Sequence, residues 1–127
     1  MRCVDTDFLI AVLNDEPAID RIIKELDMKK EYFTTVINQF ELLAGAYQKG
    51  AKQTEIAKLL LSRFEILEFS RFSADEAGKI YAELRKKGQE IPMRDAMIAG
   101  IARVNGYSII TQDKHFKKVT KLEVINW

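Results

Sequence analysis

Four carboxylates, Asp5, Glu41, Asp95 and Asp113, stand where ordinary surface charge explains them poorly. Asp5 ends a short β-prone run, Arg2 to Val4, and precedes the apolar Phe8 to Leu13, so in isolation it suits a helix N-cap. Glu41 has Ile37, Asn38, Ala44 and Gly45 as its helical neighbours, mostly apolar or small company in which a carboxylate needs either a basic partner or a metal ion. Asp95 heads a helical face of Ile98, Ala99 and Ala102, where the helix dipole favours negative charge and small side chains allow close approach. Asp113 lies in Thr111-Gln112-Asp113, just past a strand, and suits the cap of a short turn beginning at Lys114. Jointly, the four fall at or beyond the C-terminal ends of expected strands, or on the helix a strand feeds, and in a parallel sheet those positions share one edge. Crowded carboxylates repel unless protonated or neutralised, and such a set of hard oxygen donors suits Mg²⁺ or Mn²⁺ better than zinc. A divalent ion there can activate water and stabilise the departing oxygen of a phosphodiester, with no serine, cysteine or histidine nucleophile.

The elements that must position these acids follow from periodicity. Arg2 to Val4 reads as a strand and Phe8 to Leu13 as a buried helix; Pro17 opens a second helix striped by Ile19, Ile22, Ile23 and Leu26. Tyr32 to Thr35 is β-prone and feeds a helix whose stripe is Ile37, Phe40, Leu43, Ala44 and Tyr47, closing at Gly50. Ala51 to Ser62 continues as a helix with Ile56, Leu59 and Leu60 on one face, and Phe64 to Phe69 reads as an edge strand. Ser73 and Glu76 form a capping-box pattern for a helix running to Gly88. Met93 to Val104 is a small-residue helix stopped by Asn105-Gly106, and Tyr107 to Ile110 and Glu123 to Ile125 supply the last strands. Alternating strands and helices predict one α/β/α domain over residues 1–127 around a largely parallel sheet.

Composition narrows the function classes. A chain of 127 residues, 47% apolar, is sized for one core. Its 20 basic and 19 acidic residues leave a net charge of +1, so a polyanion must be met by a local patch. The longest stretch without charged or strongly polar side chains, Ala96 to Ala102, is far short of the roughly 18 residues of a membrane span. Asp5 and Asp7 interrupt any secretory signal and Cys3 is the only cysteine, so a reduced, cytoplasmic protein is expected.

The segments Val4-Asp5-Thr6-Asp7-Phe8-Leu9-Ile10, Glu41-Leu42-Leu43-Ala44-Gly45, Arg94-Asp95-Ala96-Met97-Ile98-Ala99 and Ile110-Thr111-Gln112-Asp113-Lys114-His115-Phe116 resemble, in order and across nearly the whole chain, the successive motifs of PIN domains, especially the VapC-type toxins. The resemblance implies a three-layer fold with a central five-stranded parallel sheet, Mg²⁺- or Mn²⁺-dependent endoribonuclease activity, and a homodimer inhibited by an antitoxin protein. It makes Asp5, Glu41, Asp95 and Asp113 the metal-binding and catalytic acids, with Thr6, Asp7 and Thr111 supporting them; Asp7 falls where the family also carries Asn or Ser.

Rival classes leave marks that can be checked. Asp5-x-Asp7 also fits phosphatases with an aspartyl nucleophile, but Phe8-Leu9 and the chain length count against them. A phospho-receiver module needs an acceptor Asp after its third strand, where this chain has Glu68-Phe69-Ser70. The same fold acting in RNA processing, or only as a non-catalytic RNA- or protein-binding module, is a further alternative, and retention of all four acids argues against the non-catalytic form. Arg94 and Lys114 flank the acids and are candidates for RNA phosphate contacts, as are the runs Arg85-Lys86-Lys87 and Lys117-Lys118. His115 is assigned to the surface, Cys3 to the core, and Tyr47, Tyr81 and Phe116 to packing.

Overall fold

The computed structural model describes residues 1–127. Its elements are β1 (Arg2–Val4), α1 (Thr6–Leu13), a 3₁₀ turn (Pro17–Ile19), α2 (Asp20–Lys29), β2 (Phe33–Thr35), α3 (Val36–Lys49), α4 (Ala51–Leu61), β3 (Glu65–Leu67), α5 (Arg71–Lys86), α6 (Met93–Asn105), β4 (Ser108–Ile110), a second 3₁₀ turn (Lys114–Lys118) and β5 (Val124–Ile125). The five strands form one parallel sheet in the order β3-β2-β1-β4-β5. This is the expected three-layer α/β/α architecture, with β3 at an edge as its half-wet pattern required. The order also differs from the 2-1-3-4-5 arrangement of receiver modules, which removes that rival on topology.

Strand alternation divides the core. Val4 and Ile110 point into an apolar cluster with Phe8, Leu9, Ile22, Leu26, Leu42 and Leu61 from α1 to α4. Their neighbours Cys3 and Ile109 point the other way, toward the residues of α5 and α6. On that second face α5 and α6 pack tightly because Gly100 has no side chain: a Cβ there would lie 2.7 Å from the Ser73 carbonyl and 2.8 Å from Ala77 Cβ. The small-residue helix thus brings its first turn, with Asp95, down onto the sheet. Gly106, at φ +70°, takes the left-handed conformation that ends α6 and turns the chain directly into β4.

Three readings of the sequence need correction. Helix α5 starts earlier than Ser73: Ser70 is the N-cap and accepts from the Ser73 amide at 3.1 Å, while Ser73 is buried beneath α6 and Glu76 pairs with Arg103. The buried face of α3 is Asn38, Leu42 and Ala46, leaving Phe40 and Tyr47 exposed, so Tyr47 is not a packing residue. On α4, Thr54, Ala57 and Leu61 face inward and Ile56 and Leu59 outward. Helix α4 packs chiefly on α3, and α3, 14 residues and about 21 Å long, outruns the three-residue strand that feeds it, so part of its apolar periodicity meets no sheet. No helix is long and apolar enough to cross a membrane.

Candidate active site

In the order β3-β2-β1-β4-β5 the chain reverses direction across the sheet between β1 and β4, and a crevice opens beyond their C-terminal ends. Asp5 leaves β1 and Thr111 leaves β4 at that point, and the Thr111 hydroxyl donates to Asp5 Oδ2 at 2.7 Å. The other oxygen, Oδ1, accepts from Asn38 Nδ2 at 2.8 Å. Asn38 is fixed from behind: its Oδ1 accepts from the Thr35 hydroxyl at 2.6 Å and the Thr35 amide at 3.3 Å, in a reciprocal capping box that starts α3. Its Nδ2 also donates to Thr6 Oγ1 at 3.0 Å. Asp5 makes no side-chain capping bond to α1; its carboxylate is spent on the crevice.

Burial pushes the Asp5 carboxyl up to about 6, and the neighbouring Asp7 charge pushes the same way against the hydrogen bonds from Thr111 and Asn38. Asp7 is likewise raised, first by burial, although Oδ2 accepts from the Gln112 amide at 2.8 Å and lies 3.2 Å from the Thr111 hydroxyl. Its Oδ1 is buried without a partner. Thr111 also accepts from the Asp113 amide at 3.0 Å, so one hydroxyl ties the loop after β4 to the end of β1. Asn126 donates to the Thr111 carbonyl at 2.5 Å and Gln112 to that of Trp127 at 3.1 Å, holding the loop from its outer side.

Asp95, buried in the first turn of α6, and Asp113, at the head of the second 3₁₀ turn, meet at His115. The imidazole Nδ1 is 2.8 Å from Asp95 Oδ2 and 3.1 Å from Asp113 Oδ1. Asp113 Oδ1 also accepts from the His115 amide at 2.9 Å, the capping role its sequence position suggested. One ligand atom from each of Asp95, Asp113 and His115 falls within a 4.8 Å group. Glu41 accepts from the Thr6 hydroxyl at 3.2 Å and faces the Arg94 guanidinium at 3.1 Å, whose Nε is 3.6 Å from Asp95 Oδ1. Burial raises the Glu41 carboxyl, and the charges of Asp95 and Asp113 add to that against Arg94 and the Thr6 hydroxyl. Of the two basic residues flanking the acids, Arg94 is thus engaged with them while Lys114 is exposed.

His115 is not the bystander its surface assignment made it, and Asn38, in the sequence only a neighbour of Glu41, holds Asp5. The sequence held a signal for His115 but none for Asn38, because the helical stripe put the inward face elsewhere. Asn38 is the one polar residue on the buried face of its helix, beside Leu42 and Ala46, and His115 lies two residues from an acid just beyond a central strand. Phe116, buried beneath the same turn, fulfils its packing assignment, as does Cys3, whose burial pushes its thiol well up.

A parallel sheet between two helix layers, with carboxylates converging where its strand order reverses, defines the class: an α/β/α domain whose acids, eight oxygens of them hydrogen-bonded or paired, surround a common crevice. The chain belongs to the PIN domain family, whose model matches residues 2–122. Among curated proteins it is 30% identical over 127 residues to the tRNA(fMet)-specific endonuclease VapC of Shigella flexneri, covering 98% of this chain and 96% of that protein. It is 29% identical over 130 residues, with the same coverage, to ribonuclease VapC2 of Rickettsia felis. Among solved structures, VapBC2 of Rickettsia felis bound to a promoter DNA fragment superposes with a TM-score of 0.84 at 27% identity, over 99% of this chain and 98% of the other. The FitAcB structure from Neisseria gonorrhoeae, at 23% identity and a TM-score of 0.82, shares the fold over 99% of this chain and 97% of that chain.

Proposed function

We propose that this chain is a metal-dependent endoribonuclease, the toxin of a VapBC-type toxin–antitoxin pair, hydrolysing RNA with Mg²⁺ or Mn²⁺ held by Asp5, Glu41, Asp95 and Asp113. The observation that carries the reading is the convergence of acids from four separate segments on one crevice, with the Asp5 carboxyl raised by burial and the buried Asp7 Oδ1 left without a partner. Such an arrangement is uncomfortable as a purely structural device and is relieved by a hard cation. The names of the Shigella and Rickettsia relatives, an endonuclease and a ribonuclease, agree with RNA as substrate.

When bound, a divalent ion supplies an activated water and charge neutralisation at the departing oxygen. The chain's own residues do the positioning. Asn38 and Thr111 fix both oxygens of Asp5, so its remaining lone pairs are held in place before any ligand arrives. The Asp113 cap and the His115 contact fix Asp113 and Asp95 relative to each other. Lys114 and, once drawn off Glu41, Arg94 are placed to meet RNA phosphates beside the acids.

An antitoxin is the proposed partner. A groove between α1, α3 and α4 is lined by Ile10, Leu13, Leu42, Ala46, Ile56 and Ala57, and Glu41 lies on its wall, so a protein seated there reaches the acidic crevice. A homodimer, the other assembly that the resemblance implies, would have the exposed Phe40, Phe72 and Met93 available to cover. The test is cleavage of single-stranded RNA in Mn²⁺ by nuclease-free wild type beside Asp95→Asn. Cleavage by the first and not the second supports the proposal; equal cleavage by both, or by neither, overturns it.

A further inference from the structure

We propose that His115 is a nitrogen ligand of the divalent ion and biases the site toward Mn²⁺ over Mg²⁺, an inference that rests on the metal-dependent reading of the same crevice. Donor atoms bonded at 2.0–2.2 Å to one octahedral ion lie about 3 Å apart along each edge. The Nδ1 atom of His115 stands 2.8 Å from Asp95 Oδ2 and 3.1 Å from Asp113 Oδ1, and the three ligand atoms fit within 4.8 Å. The ring is held where it is. Its own amide is bonded to Asp113 Oδ1 at 2.9 Å, and the next residue, Phe116, is buried beneath the turn.

The contacts of His115 Nδ1 are both to acids of the crevice, Asp95 and Asp113, whereas Asp5 and Glu41 also carry partners from outside the acid cluster. Both Asp5 oxygens carry hydrogen bonds from Asn38 and Thr111, and Glu41 is turned to Arg94 and Thr6. Arg94 approaches Asp95 from the Oδ1 side, which leaves Oδ2 facing the imidazole. The His115 side chain is 41% exposed, so an ion between it and the two aspartates keeps positions open to solvent and substrate. A ring nitrogen is a softer donor than a carboxylate oxygen. Adding one to an otherwise all-oxygen set favours first-row transition ions over Mg²⁺, which prefers oxygen and gives up water reluctantly.

The chain has a single histidine, which makes the test clean. The purified full chain, freed of any histidine tag, is loaded with Mn²⁺ alone and examined by pulsed electron paramagnetic resonance for modulation from a directly bonded nitrogen. Wild type should show it, and His115→Ala and His115→Gln should lose it. Mn²⁺ affinity should fall roughly tenfold or more in both variants, the range in which disturbed metal sites respond, while Mg²⁺ affinity, read by competition, should change much less. Mn²⁺ bound without nitrogen modulation overturns the ligand assignment and leaves the nuclease reading standing, with His115 reduced to a hydrogen-bonding partner of Asp95. Failure of the wild-type chain to bind Mn²⁺ at all overturns both. The wild-type spectrum decides even if a variant does not fold.

Discussion

Arg94 spans two of the acids, Glu41 far before it in the chain and Asp95 immediately after it: Nη1 is 3.1 Å from Glu41 Oε2 and Nε 3.6 Å from Asp95 Oδ1. A guanidinium thus stands where a metal ion would neutralise the same charges. Its side chain is 53% exposed while that of Glu41 is 17% exposed, so the pair is anchored on one side only.

Two substitutions separate the roles of this pair. Glu41→Gln should lower metal affinity and RNA cleavage together, yet cost the metal-free protein less than about 1 kcal/mol, because the released Arg94 rotates into solvent. A loss of 3 kcal/mol or more in urea unfolding, the cost of stranding a buried charge, would make Glu41 a structural partner instead. Arg94→Gln should tighten Mg²⁺ binding several-fold in calorimetry by removing a competing cation. Weaker binding would contradict the competition.

Asp5 sets a pH dependence whose sign is opposite to ordinary acid denaturation. Its carboxyl lies at about 6 in the fold against an ordinary 3.8, so the folded state holds the proton more tightly. The stabilisation this provides is complete below about pH 4 and is lost as pH rises through 6, on the order of 3 kcal/mol. Asp7 and Glu41 are shifted in the same direction, and exposed Glu25, lowered by Arg2, opposes them. The metal-free melting temperature should therefore fall between pH 5 and pH 7, and Asp5→Asn should flatten that fall while keeping the fold and abolishing cleavage. Asparagine can still accept from Asn38, and Thr111 has Asp7 Oδ2 at 3.2 Å as a second acceptor. A melting temperature that rises over this range, or collapses in the variant, counts against the account.

Asn38→Ala should be costly for a different reason. It strips Asp5 Oδ1 of its donor and breaks the capping box with Thr35, both fully inside the protein. A loss of about 2–3 kcal/mol in urea unfolding is expected from the buried groups left unpaired, together with reduced Mn²⁺ affinity. A variant as stable as wild type would show that the network does not fix Asp5.

What the sequence disclosed and what it withheld follow from the range of the contacts involved. Strand and helix order, the edge position of β3 and the clustering of Asp5, Asp95 and Asp113 near one sheet edge depend on local periodicity plus the rule that parallel strands share a direction. The Asn38–Asp5 bond joins residues 33 apart and the His115–Asp95 contact residues 20 apart, and each depends on helix rotation and loop path that no local pattern encodes. Phe40, Tyr47, Ile56 and Leu59 are exposed despite their place in a helical stripe, because such a stripe records that some surface is to be covered, not whether the sheet or another protein covers it.

Gly100→Ala tests how the second layer positions Asp95. The added methyl must displace the Ser73 carbonyl or Ala77, both on the neighbouring helix. Unfolding in urea should show a loss of about 1–3 kcal/mol from overpacking, and cleavage should drop because α6 carries Asp95. A neutral effect on both would mean that the α5–α6 approach is not what seats the acid.

The most direct measurement is RNA cleavage as a function of free divalent ion, with wild type and Asp5→Asn purified side by side to exclude contaminating nuclease. Wild type should be inactive in excess chelator and regain activity when Mn²⁺ or Mg²⁺ is restored, while Asp5→Asn stays inactive throughout. Full cleavage by wild type in excess chelator would contradict the claim that the acids act by holding a metal ion.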